Sequence, residues 1–226
     1  MSLLKLVKAV TFDVGGTLIQ PWPSVGHVYA AAAARHGHPN ILPEILNRQF
    51  AAVWQSKRSF DHSRSAWFEV VEKTFAGALD KSSVQNLFDE LYACFGAPEA
   101  WQVFEEVHPT LELLRSRELK LGIISNWDER LRPLLARLQL TRYFAAIMIS
   151  VEAGFAKPSR KIFQRATAAL GLVPGSILHI GDSFSKDVAG ARAAGLQGLL
   201  LDRKEATPAV ASIATLAKLK DLFDTC

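Results

Sequence analysis

Five short apolar runs, each closed by turn residues or a charge, constrain this chain more than any other feature. They are LVKAVTF (6–12), LKLGIIS (119–125), FAAIMIS (144–150), SILHIGD (176–182) and GLLLD (198–202). Runs this short and this apolar read as strands covered on both faces, the situation of a parallel sheet. Helical patterns at 109–117, 129–138, 160–170 and 186–194 separate them. Strands alternating with helices of that length predict βαβ units, and so an α/β fold with a parallel sheet.

The stretch from 21 to 100 breaks this rhythm. It carries helical segments, VGHVYAAAAARHG, EILNRQFAAVWQS, SAWFEVVEKTFAGAL and VQNLFDELYACF, with no strand pattern among them, and Pro39, Pro43 and Pro98 punctuate it. We expect an all-helical domain at 21–100 inserted into a core formed by 1–20 and 101–226. At 226 residues the chain is long enough to bury roughly 70% of its unfolded surface without disulfides or structural metals.

Charge and cysteine content narrow the function class. The 26 basic and 22 acidic residues leave a net charge of +4, with no dense basic run interleaved with aromatics, so no nucleic-acid surface is expected. Cys94 and Cys226 show neither metal-ligand spacing nor a disulfide framework and fit a reducing compartment. The apolar N-terminal run is interrupted by Lys5 and Lys8 and ends on Asp13, which reads as a buried strand rather than a secretory signal. No stretch reaches the length of a membrane span. The expectation is a cytoplasmic protein without membrane partners; a homodimer stays open.

In open α/β sheets, ligands bind just outside the carboxyl ends of the strands. Here those ends carry polar groups: Asp13 and Thr17 after the first run, Ser125 and Asn126 after the second, Lys157 after the third, and Asp182 and Asp187 after the fourth. A carboxylate nucleophile, hydroxyl and amide donors, a cation and two further carboxylates would meet at one edge. Each also has a plainer reading. Ser125-Asn126 and the aspartates could cap helices, and Lys157 could be a solvated lysine before a helix that begins at Pro158.

FDVGGTL (12–18), IISN (123–126), AKPSRKIF (156–163) and GDSFSKDVAGA (181–191) resemble, in order and spacing, the four motifs of the haloacid dehalogenase (HAD) superfamily. The resemblance runs from Lys5 to about Asp202 and is to the subclass with a helical cap inserted after motif one. It implies a Rossmann-like core and hydrolysis of a small phosphorylated metabolite. It further implies that Asp13 attacks phosphorus and forms an aspartyl-phosphate, splitting one step into two. Mg2+ would be held by Asp13, the Gly15 carbonyl and Asp182, with Asp187 acting directly or through water. Thr17, Ser125, Asn126 and Lys157 would hold the phosphoryl oxygens, Lys157 stabilising the charge on them.

One position departs from that pattern. HAD phosphatases usually read D-x-D-x-T, and the second aspartate is the general acid/base; here Gly15 stands in its place. General acid–base catalysis is worth about 10²–10⁴-fold, or roughly 3–5 kcal/mol, so slow turnover is expected unless another group replaces it. His27 and His62 in the cap are candidates. A dehalogenase needs no proton for its leaving halide, and a phosphonate-cleaving relative would need a cap lysine, for which Lys57, Lys73 and Lys81 exist. A non-catalytic binding protein on the same fold is a further alternative. Sugar kinases also share D-x-G-G-T, but the chain is short for their duplicated architecture and GDSFSKD has no role there. Trp22, Trp54, Trp67 and Trp101 are expected to build the cap core; Trp127 and Asp128 directly follow Ser125-Asn126 and are candidates for the pocket rim. Arg35, Arg48, Arg58 and Arg64 are candidates for recognising a substrate anion.

Overall fold

The computed structural model describes residues 6–57, 60–203 and 212–224; Lys5, Arg58 and Cys226 lie outside the described residues. The sheet is built around β1 (Ala9–Phe12), all four of whose residues are buried. On one side it pairs with β4 (Lys120–Ser125), Phe12 opposite Ile123, and on the other with β6 (Ile177–Gly181), Phe12 opposite Ile180. Beyond β4 lies β5 (Ala146–Ile149), and beyond β6 lie β7 (Gln197–Leu201) and the two-residue β8 (Ser212–Ile213). All neighbours run parallel, in the order β5-β4-β1-β6-β7-β8. The chain therefore moves outward from β1 in one direction, then returns to fill the other side. That reversal opens a crevice at the carboxyl ends of β1, β4 and β6, where loops depart to opposite faces. The five expected strands and the parallel sheet are present.

Helices α5 (Val107–Ser116), α6 (Leu131–Arg137), α7 (Ser150–Ala153), α8 (Arg160–Leu170) and α9 (Gly190–Ala193) fall between these strands, and α10 (Leu219–Asp224) follows them. Helix α8 shows why the crossovers pack. Ser159 caps its first turn, Gly171 at φ +66° ends it, and Ile162, Phe163, Ala166 and Leu170 form one buried stripe. That stripe packs with Ala9, Ile124 and Ile177 of the strands. Residues 186–194 are not the single regular helix expected. A π-helical turn, Phe184–Ala189, comes first, with Asp187 and Val188 both bonded to the Ser183 carbonyl. The widened turn lets the buried Asp187 side chain reach back to the Ser183 N–H, at 2.9 Å.

Contacts divide the chain into two compact units. The first contains the sheet and comprises Met1–Ile19, Val103–Glu129 and Leu138–Cys226. The second comprises Gln20–Gln102 and Arg130–Arg137. Its helices are α1 (Val25–Arg35), α2 (Pro43–Ser56), α3 (Arg64–Thr74) and α4 (Lys81–Cys94), capped at their N-termini by Ser24, Ser63 and Asp80 in three of the four. Tyr29, Leu46, Val71, Phe75, Leu87 and Leu91 form its buried core. Helix α6 joins this unit, anchored by Arg130, whose Nη1 donates to the Tyr92 carbonyl at 2.7 Å while its guanidinium stacks on the Tyr92 ring.

Two short strands, β2 (Ile19–Pro21) and β3 (Trp101–Val103), pair where the helical insertion leaves and rejoins the chain. No strand pattern announces them, because each has three residues and most are only half-buried. Among the described residues no helix is long and apolar enough to cross a membrane.

Candidate active site

Asp13 follows β1 directly, and its backbone N–H donates to Ile180 O at 2.9 Å, which fixes it over the sheet end. The chain then folds into a tight turn in which Val14 O accepts the N–H groups of Thr17, Leu18 and Ile19. Gly16 sits in this turn at φ +75°, and a Cβ there would lie 2.4 Å from Asp182 Oδ2. Left-handed backbone and close approach together leave room for no other residue. Gly16 thus lets the carboxylates of motifs one and four come together.

The structure gathers the expected polar groups around Asp13. Ser125 Oγ donates to Asp13 Oδ1 at 2.9 Å, and Lys157 Nζ donates to the same oxygen at 2.7 Å. Both bonds fall on Oδ1, so Oδ2 accepts none among the described residues. Lys157 Nζ also donates to Asp187 Oδ1 at 2.5 Å. Burial by itself would lower the pKa of this ammonium, but Asp13 and Asp187 outweigh that and hold it above the ordinary lysine value. Lys157 is therefore a permanent cation bridging two carboxylates.

Asn126 serves differently. Its Nδ2 donates to Lys157 O at 3.0 Å and its Oδ1 accepts from Lys157 N at 2.7 Å, a reciprocal clamp on the backbone of the lysine. Thr17 is buried, and its Oγ1 has no hydrogen-bond partner among the described residues.

Carboxylate oxygens of Asp13, Asp182 and Asp187 all lie within 4.8 Å of one another. Three carboxylates against one ammonium leave a charge of −2 in the cluster when all are ionised. Asp182 registers the imbalance. Desolvation in the recess, then the charges of Asp13 and Asp187, push its pKa up to about 7, although its outer face is exposed and water screens part of the effect. Asp187 goes the other way: despite burial, Lys157 and then His179 hold it well below the usual carboxylate range. A set of hard oxygen donors with a surplus of two negative charges fits a divalent cation such as Mg2+.

Two residues not anticipated from the motifs complete the arrangement. His179, fully buried in β6, is pushed by desolvation below its ordinary pKa and is neutral. Asp187 can only accept, so His179 Nε2 donates to its Oδ1 at 3.2 Å, and Nδ1 accepts from Thr11 Oγ1 at 3.0 Å. A buried chain thus runs Thr11–His179–Asp187–Lys157–Asp13. Arg203, just after β7, donates from Nε to Gly16 O at 3.2 Å and from Nη2 to Thr17 O at 2.8 Å. Its Nη1 pairs with Glu106 at 2.6 Å, and its guanidinium lies on the Phe104 ring. Only a lone polar residue inside an apolar strand hinted at His179; nothing local marked Arg203.

Several candidates in the helical unit make local contacts there. His27 is exposed, its Nδ1 2.8 Å from the α1 capping residue Ser24. His62 is buried against Phe60 and Trp67. Lys57 pairs with Glu69, Lys81 with Glu72, Arg35 with Glu90 and Arg64 with Asp89. Trp54 and Trp67 stack on each other, whereas Trp22, expected in the core, is 48% exposed.

The chain belongs to the haloacid dehalogenase-like hydrolase family, whose pattern it matches over residues 7–195. It is 34% identical over 206 residues to human haloacid dehalogenase-like hydrolase domain-containing protein 3, covering 86% of this chain and 82% of that one. It is 26% identical to phosphoglycolate phosphatase of Salmonella typhi over 206 residues, covering 86% and 81%. Among solved structures, a HAD phosphatase from Thermococcus onnurineus superposes with a TM-score of 0.70 at 28% identity, covering 96% of this chain and 98% of that one. A 2-haloacid dehalogenase from Pseudomonas syringae does so with a TM-score of 0.64 at 26% identity, covering 97% and 99%. A magnesium-bound HAD hydrolase from Bacillus subtilis shares the fold, at TM-score 0.75 and 16% identity, covering 96% and 99%. The inserted helices α1–α4, between β2 and β3, are consistent with a HAD cap. The protein is thus a HAD-like hydrolase with an α/β core and an acidic cluster able to hold a metal.

Proposed function

We propose that the protein is a magnesium-dependent phosphatase of a small phosphorylated metabolite, acting in the cytoplasm through an aspartyl-phosphate on Asp13. The observation that carries this reading is the composition of the cluster: three carboxylates converge on one cation site while Lys157 stays charged beside the nucleophile. A dehalogenase, whose substrate is a single carboxylate, has no use for such a surplus of negative charge. A phosphate bearing two charges needs a cation to approach Asp13 at all. Likeness to a phosphoglycolate phosphatase and to a HAD phosphatase supports the same choice.

In this reading Asp13 Oδ2 attacks phosphorus, since Oδ1 is held by Ser125 and Lys157. The two donors fix the carboxylate, so little reorganisation is needed at the moment of attack. Asp13, Asp182, Asp187 and the Gly15 carbonyl would hold Mg2+. Such an ion would supply positive charge that offsets phosphoryl oxygens beside the carboxylates. Lys157 and Ser125, already beside the nucleophile, would stabilise the charge spread over the transferring group. Asn126 keeps the Lys157 backbone in place, and the orphaned Thr17 hydroxyl is available to a phosphoryl oxygen. Gly15 supplies no proton, so turnover is slower than with an acid at that position.

The test is release of 4-nitrophenol from 4-nitrophenyl phosphate, with MgCl2 and with EDTA, by wild type and Asp13→Asn. Turnover that requires magnesium and disappears in the variant is expected. Turnover of 2-haloacids in EDTA, with none on phosphates, would overturn the reading.

A further inference from the structure

In the D-x-D pattern that motif one resembles, the acid stands at position 15, and a side chain there would press on a neighbouring ring. A Cβ built on Gly15 would lie 3.3 Å from Cζ3 and 3.9 Å from Cη2 of Trp127. The six-membered edge of the indole therefore rests against the turn that carries the nucleophile. Trp127 cannot easily swing aside at its root. Its N–H donates to Ser150 Oγ at 3.0 Å, and its carbonyl accepts from Ser150 Oγ at 3.0 Å and from Val151 N at 3.3 Å. Those bonds tie the residue to the first turn of α7 and leave only side-chain rotation to make room.

The groups bonded to Asp13 cannot replace the missing donor. Ser125 and Lys157 both donate to Asp13 Oδ1, and Lys157 donates to Asp187 Oδ1 as well, so their donors are directed at carboxylates rather than at a departing oxygen. The ring edge at position 15 is carbon and hydrogen. A leaving-group oxygen against that edge is offered no proton by it. High-pKa alkoxides would leave such a site slowly; carboxylates and acidic phenolates need no proton.

We propose that Trp127 is a specificity-determining residue that, with Gly15, restricts the enzyme to phosphates whose leaving group departs as a stable anion: acyl phosphates foremost, then aryl and enol phosphates. The inference rests on the phosphatase reading and narrows its substrate class. In the first step the Asp13 Oδ2–P bond forms as the P–O bond to the acyl group breaks. The bonding pair leaves with the carboxylate, and no proton is transferred. Water then attacks phosphorus, returning Asp13 as a carboxylate and releasing hydrogen phosphate and one proton to solvent.

The experiment compares kcat/KM for acetyl phosphate, a series of aryl phosphates of graded phenol pKa, and ethyl phosphate. The enzymes are wild type, Gly15→Asp, Trp127→Ala and the double variant. Wild type should lose rate steeply as the leaving-group pKa rises. Gly15→Asp alone should gain little on ethyl phosphate because the indole blocks the new carboxyl. The double variant should gain about 10-fold or more on ethyl phosphate relative to acetyl phosphate, part of the 10²–10⁴-fold that an acid can supply. A Gly15→Asp single variant that gains as much as the double, or a wild type indifferent to leaving group, would overturn the proposal while leaving the phosphatase reading intact. A wild type inactive on every phosphate with magnesium would overturn both. A stability cycle of Gly15→Ala, Trp127→Ala and their combination checks the steric premise without turnover. The loss in melting temperature from Gly15→Ala should shrink when Trp127 is alanine, and an equal loss in both backgrounds would also count against the proposal.

Discussion

Asp182 is the carboxyl most sensitive to what shares the site. An unfolded aspartate titrates near about 3.9, whereas burial and two negative neighbours raise the folded value to about 7. Between those values the folded chain retains a proton that the unfolded chain has lost, so stability falls as pH rises through the window. Asp187 has the opposite sign: its depressed pKa stabilises the fold above the unfolded value and is lost only in stronger acid, so it does not offset Asp182 here. A divalent cation would favour the ionised Asp182. His179, whose folded pKa is lowered, works against Asp182 up to about pH 6.5, so the melting temperature in EDTA, taken relative to Asp182→Asn, should decline from pH 5 to pH 8, and magnesium should raise it more at pH 8 than at pH 5. Asp182→Asn should itself weaken the magnesium effect. An equal magnesium shift at the two pH values in calorimetry would remove Asp182 from the cation site.

The turn from Asp13 to Ile19 is the smallest element with a function of its own, and it is held from outside by Arg203. Two carbonyls of the turn, Gly16 O and Thr17 O, accept from one guanidinium that Glu106 and Phe104 hold in place. Charge-assisted bonds of this kind contribute roughly 1.5–3 kcal/mol each. Arg203→Ala should lower unfolding stability by about that amount and reduce kcat on 4-nitrophenyl phosphate by roughly 10-fold, with a smaller effect on KM. Arg203→Lys should rescue little of either, because an ammonium cannot span both carbonyls and Glu106 in one plane. Stability loss with unchanged kcat would make Arg203 a structural brace alone. Such a clamp is invisible in the sequence because its partners are backbone atoms 186 and 187 residues away. By contrast β1, β4, β5, β6 and β7 were legible, since strands buried on two faces write themselves as apolar runs. Asp13, Ser125 and Asp182 were legible as the polar residues that end three of them. The π-helical turn was not: SFSKDVAG scans as a regular helix, and the extra residue is accommodated for the buried Asp187 side chain, a tertiary cause.

At the scale of the whole molecule, two hydrophobic cores lie in separate units, one around Ile124, Phe163 and Ile177, the other around Tyr29, Phe75 and Leu87. Phe75 has no exposed surface and stacks on Tyr29 with ring centroids 5.5 Å apart. Truncating it leaves a void in a packed interior, and Phe→Ala losses of this kind run about 3–5 kcal/mol. The tryptophans make the consequence measurable. Trp22, Trp54, Trp67 and Trp101 belong to the helical unit and Trp127 alone to the sheet unit. Emission therefore follows the helical unit, whereas far-ultraviolet dichroism follows helices in both. With urea slopes of about 1–3 kcal/mol/M, Phe75→Ala should move the emission midpoint down by roughly 1 M or more. If each core supports its own unit, dichroism should then split into two steps, the first coinciding with emission. A single step, with emission and dichroism displaced together, would mean that the core of the helical unit also carries the stability of the sheet unit, so that the sheet edge bearing Asp13 does not outlast the loss of the inserted helices.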